Sequence, residues 1–284
     1  MTRTLRDHWP EYLMEAAELG IFMISAATWG VLLGHPDSPV HQAIPSPFIR
    51  RLLGGFAMGL TAICLIYSPW GKQSGAQMNP ALTLTFLRLG KVKAVDALFY
   101  ACAQFAGGIA GLAIARTLLG RALAHPSVNY VATVPGPWGD AAAFGGEFAI
   151  SFLLVSMVLR STRSQATARY TGLFAGILVA VYITLEDPLS GMSMNPARTL
   201  ASAIPAMRWD VLWIYFTAPL LGMMTAAEVF LRQHGPAAVA CAKYHHENTK
   251  RCIHCAARMD PPAVIRQGSP SLTVSPITHS TRSL

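Results

Sequence analysis

The sequence predicts an all-α integral membrane protein, with six transmembrane helices plus two half-helices arranged as an inverted repeat. Three observations carry that expectation. The 284 residues are 52% hydrophobic and only 13% charged, where a soluble globular chain carries about 25% charged residues. The tripeptide Asn-Pro-Ala occurs twice, at Asn79-Pro80-Ala81 and Asn195-Pro196-Ala197, each time beside an apolar run. The stretches around the two tripeptides also resemble each other in order and composition.

Six spans follow from the need for about 20 mainly apolar residues per crossing. The first covers about 12–33 and is uncharged from Leu19 onward. Arg3 and Arg6 precede it with no clear small-residue cleavage site, so it reads as a retained span rather than a signal peptide. His35 to Pro47 is a proline-broken loop. The second span, about 52–67, is broken by Ser68-Pro69-Trp70-Gly71. The third covers about 94–118. Residues 122–139 are uncharged, but their prolines and glycines predict a loop. The fourth, fifth and sixth spans cover about 141–159, 170–185 and 211–231. Cys64 and Cys102 lie in apolar runs and read as small core hydrophobes.

Each Asn-Pro-Ala reads as a helix start, because Asn is a good N-cap and Pro loses no donor in the first helical position. Pro80 to Leu89 and Pro196 to Ile204, the latter stopped by Pro205, are too short to cross. At the usual rise the first is about 15 Å long, half of a ~30 Å hydrocarbon core. With the N-terminus placed inside, 16 of the 22 lysines and arginines fall in inside segments. That excess predicts two cytoplasmic termini and half-helices entering from opposite faces. Glu18-Leu-Gly-Ile-Phe-Met-Ile pairs with Glu147-Phe-Ala-Ile-Ser-Phe-Leu, each followed by one more span and an Asn-Pro-Ala. Three spans per half make the copies inverted, and interrupted spans at matching places point to a substrate path. The expected division is a membrane channel domain at 1–232, with repeats at about 10–120 and 141–232, and a cytoplasmic tail at 233–284.

On both Asn-Pro-Ala boxes, Arg198 directly after the second, Glu18 and Glu147, Gln104 in Ala-Gln-Phe-Ala-Gly-Gly, and Pro219-Leu-Leu-Gly, the chain resembles the major intrinsic protein (aquaporin) family over about residues 10–232. The two boxes stand 116 residues apart, each at a span break, which makes the match specific. The resemblance implies a right-handed bundle, a homotetramer with one pore per subunit, and passage of water and other small neutral solutes without protons or ions. The location implied is an inner or plasma membrane, the partners are lipid, solutes and further copies, and nucleic acid is not among them. No enzyme is expected, since the spans offer no histidine, no paired Asp and no nucleophile beside a base.

In the pore reading, Asn79 and Asn195 cap with their oxygens and turn NH2 donors toward passing water, while the two positive helix ends oppose cations. The competing reading is two ordinary surface caps. Arg198 sits one helical turn after Asn195 and lines the outer constriction; the alternative is an interfacial arginine snorkelling outward. By family spacing the remaining filter positions are Ile183, Met192 and either Met58 or Gly59, with Met58 preferred. Strict water channels usually place His where Ile183 stands and an aromatic where Met58 stands. Glycerol-type members usually place Asp where Thr199 stands, and Tyr215-Phe216 is like the aromatic pair of water-type members. Water is therefore the first expectation, with glycerol, ammonia, metalloid acids and peroxide open. Glu18 and Glu147 are expected to hold the loops before the half-helices.

The tail contains Cys241-x3-His245-His246-x5-Cys252-x2-Cys255. Cys241, His245, Cys252 and Cys255 could form a zinc or other soft-metal site, with a metal-responsive tail as the alternative function. The competing reading is a tail of reduced thiols. From Pro261 onward the composition predicts disorder.

Overall fold

The computed structural model describes residues 2–244 and 250–256. Eight helices build the body: α1 (Thr2–Gly34), α2 (Pro47–Tyr67), α3 (Pro80–Arg88), α4 (Ala94–Leu119), α5 (Gly139–Arg163), α6 (Thr171–Leu185), α7 (Pro196–Ala206) and α8 (Leu212–His234). Among the described residues five of these, α1, α2, α4, α5 and α8, are long and apolar enough to cross a membrane. The fifth predicted span, α6, has 15 residues, about 22 Å. It ends at Glu186-Asp187-Pro188, where a short helical turn, Asp187–Ser190, leads to the second box.

Polarity is turned inside out relative to a water-soluble fold. Glu15, Glu18, Gln104 and Glu147 are fully buried, whereas Phe56, Leu118, Leu153 and Leu185 face outward. That suits hydrocarbon, which rewards no burial of apolar groups and penalises exposed polar ones. Cys64 and Cys102 likewise lie exposed on outward faces, so the expectation that they are core residues is corrected. A small thiol on a lipid-facing surface needs no internal partner.

The halves are two copies of one plan, with α1, α2, α3 and α4 corresponding to α5, α6, α7 and α8. In the first copy α1 packs on α4, and in the second α5 packs on α8, while α2 and α6 pack on each other across the join. Backbones set these contacts. A Cβ added at Gly107 of α4 would lie 2.0 Å from the Ala16 carbonyl oxygen of α1, and one at Gly111 would lie 2.3 Å from that of Gly20. Small residues let membrane helices approach this closely, which is where their dispersion and weak hydrogen bonding come from. Each half-helix is wedged between the copies, α3 against α8 and α7 against α4.

Pro205 does not stop α7, which runs on to Ala206 before Met207 takes a left-handed C-cap. The reason is positional. The α7 backbone begins at Pro196, so a proline in its last turn forfeits one bond near a fraying end rather than in mid-helix.

Candidate functional site

The two boxes are longer than three residues. Ser74-Gly-Ala-Gln-Met-Asn79-Pro-Ala and Ser190-Gly-Met-Ser-Met-Asn195-Pro-Ala share Ser, Gly, Met, Asn, Pro and Ala in register, and the structure repeats much of their backbone bonding. In both, φ is positive at the glycine (Gly75 at 108°, Gly191 at 76°) and at two later residues, Ala76 and Met78 or Met192 and Met194. Left-handed backbone costs a non-glycine residue roughly 1–2 kcal/mol, so these loops persist only because something holds them.

Carboxylates hold them. Glu147 accepts from the Ser193 N–H at 2.6 Å, the Met194 N–H at 2.7 Å and the Ser190 hydroxyl at 2.9 Å. In the first copy the equivalent carboxylate is Glu15. It accepts from the Gln77 N–H at 2.8 Å, the Met78 N–H at 2.6 Å and Gln104 Nε2 at 2.8 Å. Among the described residues Glu18 accepts only from the Ser74 hydroxyl, at 3.2 and 3.3 Å. Glu18 therefore holds the loop through one side chain, and the backbone contacts expected of it belong to Glu15. It lies one turn beyond the residue that reaches the backbone donors, and pairing Glu18 with Glu147 by their flanking apolar residues misplaces the register by that turn. The missed residue was accessible, because Glu11, Glu15 and Glu18 form one stripe at helical spacing. Two tyrosines complete the symmetry. Tyr100 donates to the Ser74 carbonyl at 2.8 Å, and Tyr215 donates to that of Ser190. Tyr215 is thus a strut under the second loop.

Asn79 and Asn195 cap α3 and α7 as expected. Asn79 Oδ1 accepts from the Ala81 N–H at 2.9 Å, and Asn195 Oδ1 accepts from the Ala197 N–H at 3.0 Å and the Arg198 N–H at 3.3 Å. Pro80 and Pro196 take the first helical positions. The amide nitrogens reach across to the opposite loop. Asn79 Nδ2 donates to the Met194 carbonyl and Asn195 Nδ2 to the Met78 carbonyl, each at 2.7 Å. The two loops are clasped reciprocally, and one N–H of each amide remains for another acceptor.

A cavity of about 650 Å³ runs past this clasp and is lined by Met58, Asn79, Ile183, Met192, Asn195 and Arg198. Met58 lines it, while Gly59 turns into the packing with α6, where an added Cβ would lie 2.6 Å from the Gly176 carbonyl oxygen. Arg198 donates through Nη1 to the Val131 carbonyl at 2.7 Å and to Ser202 Oγ at 3.3 Å. It therefore pins the 129–131 loop, whose three residues all have positive φ. Thr199 is buried and turned to Ser193 Oγ at 2.5 Å and Thr133 Oγ1 at 2.9 Å. The residue after the arginine thus braces the loop.

In the tail, one ligand atom from each of Cys241, Cys252 and Cys255 lies within 4.8 Å of the others, a grouping that could bind a metal. His245 lies outside the described residues. The hydrogen bond shared with Cys252, then burial, hold the Cys241 thiol above its ordinary range.

Comparison with known proteins agrees with this geometry. Residues 11–230 match the family described as Major intrinsic protein. The chain is 36% identical over 170 residues to aquaporin NIP1-3 of Oryza sativa subsp. japonica, covering 60% of this chain and 57% of that protein. It is 34% identical over 232 residues to aquaporin NIP2-1 of Zea mays, covering 79% of this chain and 73% of that protein. The chain spans about three fifths of the length of the curated relatives it matches first. Its fold is similar to that of the aquaglyceroporin from Plasmodium falciparum, with a TM-score of 0.67 at 16% identity, over 81% of this chain and 98% of that one.

Proposed function

This chain belongs to the major intrinsic protein family, and we propose that it is a passive pore for water and small neutral solutes that excludes protons and ions. The observation that carries the reading is the reciprocal clasp. Two half-helices present their N-termini to one point beside a continuous cavity, and each asparagine keeps one N–H for a passing solute. A water held by those donors turns its oxygen toward them and breaks the proton-carrying file, and the two positive helix ends raise the energy of any cation there.

Met58, Ile183, Met192 and Arg198 are the constriction we assign. Three of the four offer no hydrogen-bond donor, and Arg198 spends one nitrogen on Val131. Such a ring discriminates by size and desolvation more than by hydrogen-bond count, so it favours small solutes of modest polarity alongside water. The names of the similar proteins, aquaporins in two plants and an aquaglyceroporin in a parasite, fit both classes of solute. We assign the remaining family features as well: a homotetramer with one pore per subunit, and both ends of the chain on the cytoplasmic side. Stopped-flow shrinkage of proteoliposomes tests the central reading. Under a sucrose gradient, vesicles with protein should shrink several-fold faster than empty ones. Under a glycerol gradient they should then re-swell faster than empty ones. Equal rates with and without protein would refute a pore.

A further inference from the structure

The chain does not leave the molecule after α8. Residues 239–244 fold back as a strap in which Val239, Cys241, Ala242 and Tyr244 are buried. The strap rests on the loop ahead of the first box, where a Cβ added at Gly75 would lie 3.2 Å from Lys243 Cγ and 3.4 Å from the Ala242 carbonyl oxygen. Tyr244 joins the hydrophobic cluster of Ile66, Ala76 and Leu82 and lines the same cavity as the two asparagines. Arg50 and Ile66 of α2 both line that cavity, and 16 residues of helix put them about 24 Å apart. Tyr244 is at the Ile66 end, and Arg198 is at the other.

A second tail segment, 250–256, docks beside the strap. His254 Nε2 lies 3.4 Å from the Tyr100 hydroxyl, with the rings 5.6 Å apart. Tyr100 is the strut that supports Ser74. The three thiols converge between strap and segment. Cys241 Sγ and Cys252 Sγ are 3.7 Å apart, whereas a disulfide needs about 2.05 Å. Tetrahedral zinc with bonds of about 2.3 Å spaces its sulfurs about 3.8 Å apart. Nearby, Lys243 Nζ is buried with no hydrogen-bond partner among the described residues. Glu11, the carboxylate acting on it, already accepts from Gln73.

We propose that Cys241, Cys252 and Cys255 hold a thiophilic divalent cation of the zinc type, and that this knot seats Tyr244 in the tail-side mouth and throttles the pore. The throttling half rests on the pore reading above; the metal half does not. Binding releases the thiol protons to solvent as each sulfur becomes a thiolate ligand, with no change of oxidation state.

The test uses the full-length protein. Equilibrium dialysis against zinc followed by a metal count should give one zinc per chain for wild type and for Cys64→Ser, whose sulfur lies in α2. Cys252→Ser, and the more exposed Cys255→Ser should the first fail to fold, should lose it. In proteoliposomes, chelation should raise water permeability of wild type at least two-fold. Tyr244→Ala should do the same with its zinc still bound. Absence of zinc from wild type, or its retention in both cysteine variants, overturns the site, as does loss of two titratable thiols to a disulfide in place of metal. Zinc bound with permeability unmoved by chelation and by Tyr244→Ala overturns the gate. If zinc binds but no variant conducts water above empty vesicles, the pore reading has failed and the gate with it, and the metal site stands.

Discussion

Glu15 and Glu18 sit one helical turn apart, both fully buried, and do different work. Glu15 takes two backbone N–H groups of a loop with left-handed residues, and Glu18 takes one hydroxyl that can rotate to another acceptor. Glutamine keeps one carbonyl oxygen and replaces the other with a donor. In Glu15→Gln, either the Gln77 or the Met78 N–H must face an NH2 group. A buried donor left unsatisfied costs roughly 1–3 kcal/mol. Glu15→Gln should therefore lower the thermal unfolding midpoint in detergent by several degrees and reduce water flux, and Glu18→Gln should change both much less. Equal losses from the two variants would return the loop-holding role to Glu18. The capping asparagines and the prolines in the first helical positions were legible from residue type and spacing, because capping chemistry is local. Which glutamate reaches the loop was not, since a single turn of helix decides it and the apolar flanks match either choice. The second job of each asparagine amide was hidden for a related reason. Its acceptor lies 115 residues away in the other copy for Asn79 and 117 away for Asn195.

At the scale of helices, span existence was legible because each crossing must be apolar over most of its length, and the observed helices overlap every predicted one. Boundaries were less so. α1 begins at Thr2, ten residues ahead of the predicted start, since polar residues can continue a helix beyond the hydrocarbon. What sequence did not reveal is the close seam between α1 and α4, because a glycine's partner is a backbone atom of another helix. The seam makes a sharp prediction. Gly107→Ala must push its methyl into the Ala16 carbonyl, whereas at Gly145 of α5 an added Cβ meets nothing within 4 Å. Overpacking of this kind costs about 1–3 kcal/mol or more, while alanine for glycine in an open helical site gains roughly 1 kcal/mol. Gly107→Ala should lose yield and melt early in a detergent thermal-shift assay, and Gly145→Ala should melt at or above wild type. If the two behave alike, the helices are not as close as this seam requires.

For the molecule as a whole, the decisive feature is the meeting of two helix N-termini inside the membrane, since neither half can produce it alone. Each end is worth about half a positive charge. Together they act on a cation about 5 Å away with roughly 3 kcal/mol of repulsion at an effective dielectric of 20, a factor of about one hundred in permeation. Asn195→Asp places a full negative charge there while keeping an oxygen to cap α7. Its second oxygen would, however, face the Met78 carbonyl in place of the donor that now binds it. Asn195→Ala separates the two effects, because it breaks the same link without adding charge. Proton leak, followed with a pH-sensitive dye trapped in proteoliposomes under a valinomycin-clamped potential, should rise by one to two orders of magnitude in Asn195→Asp. It should rise far less in Asn195→Ala. A leak that is the same in both variants would assign proton exclusion to the shape of the clasp. A leak that stays at the wild-type level in both, with water flux preserved, would mean that the barrier lies elsewhere along the cavity, and that the opposed half-helices serve only to hold it open.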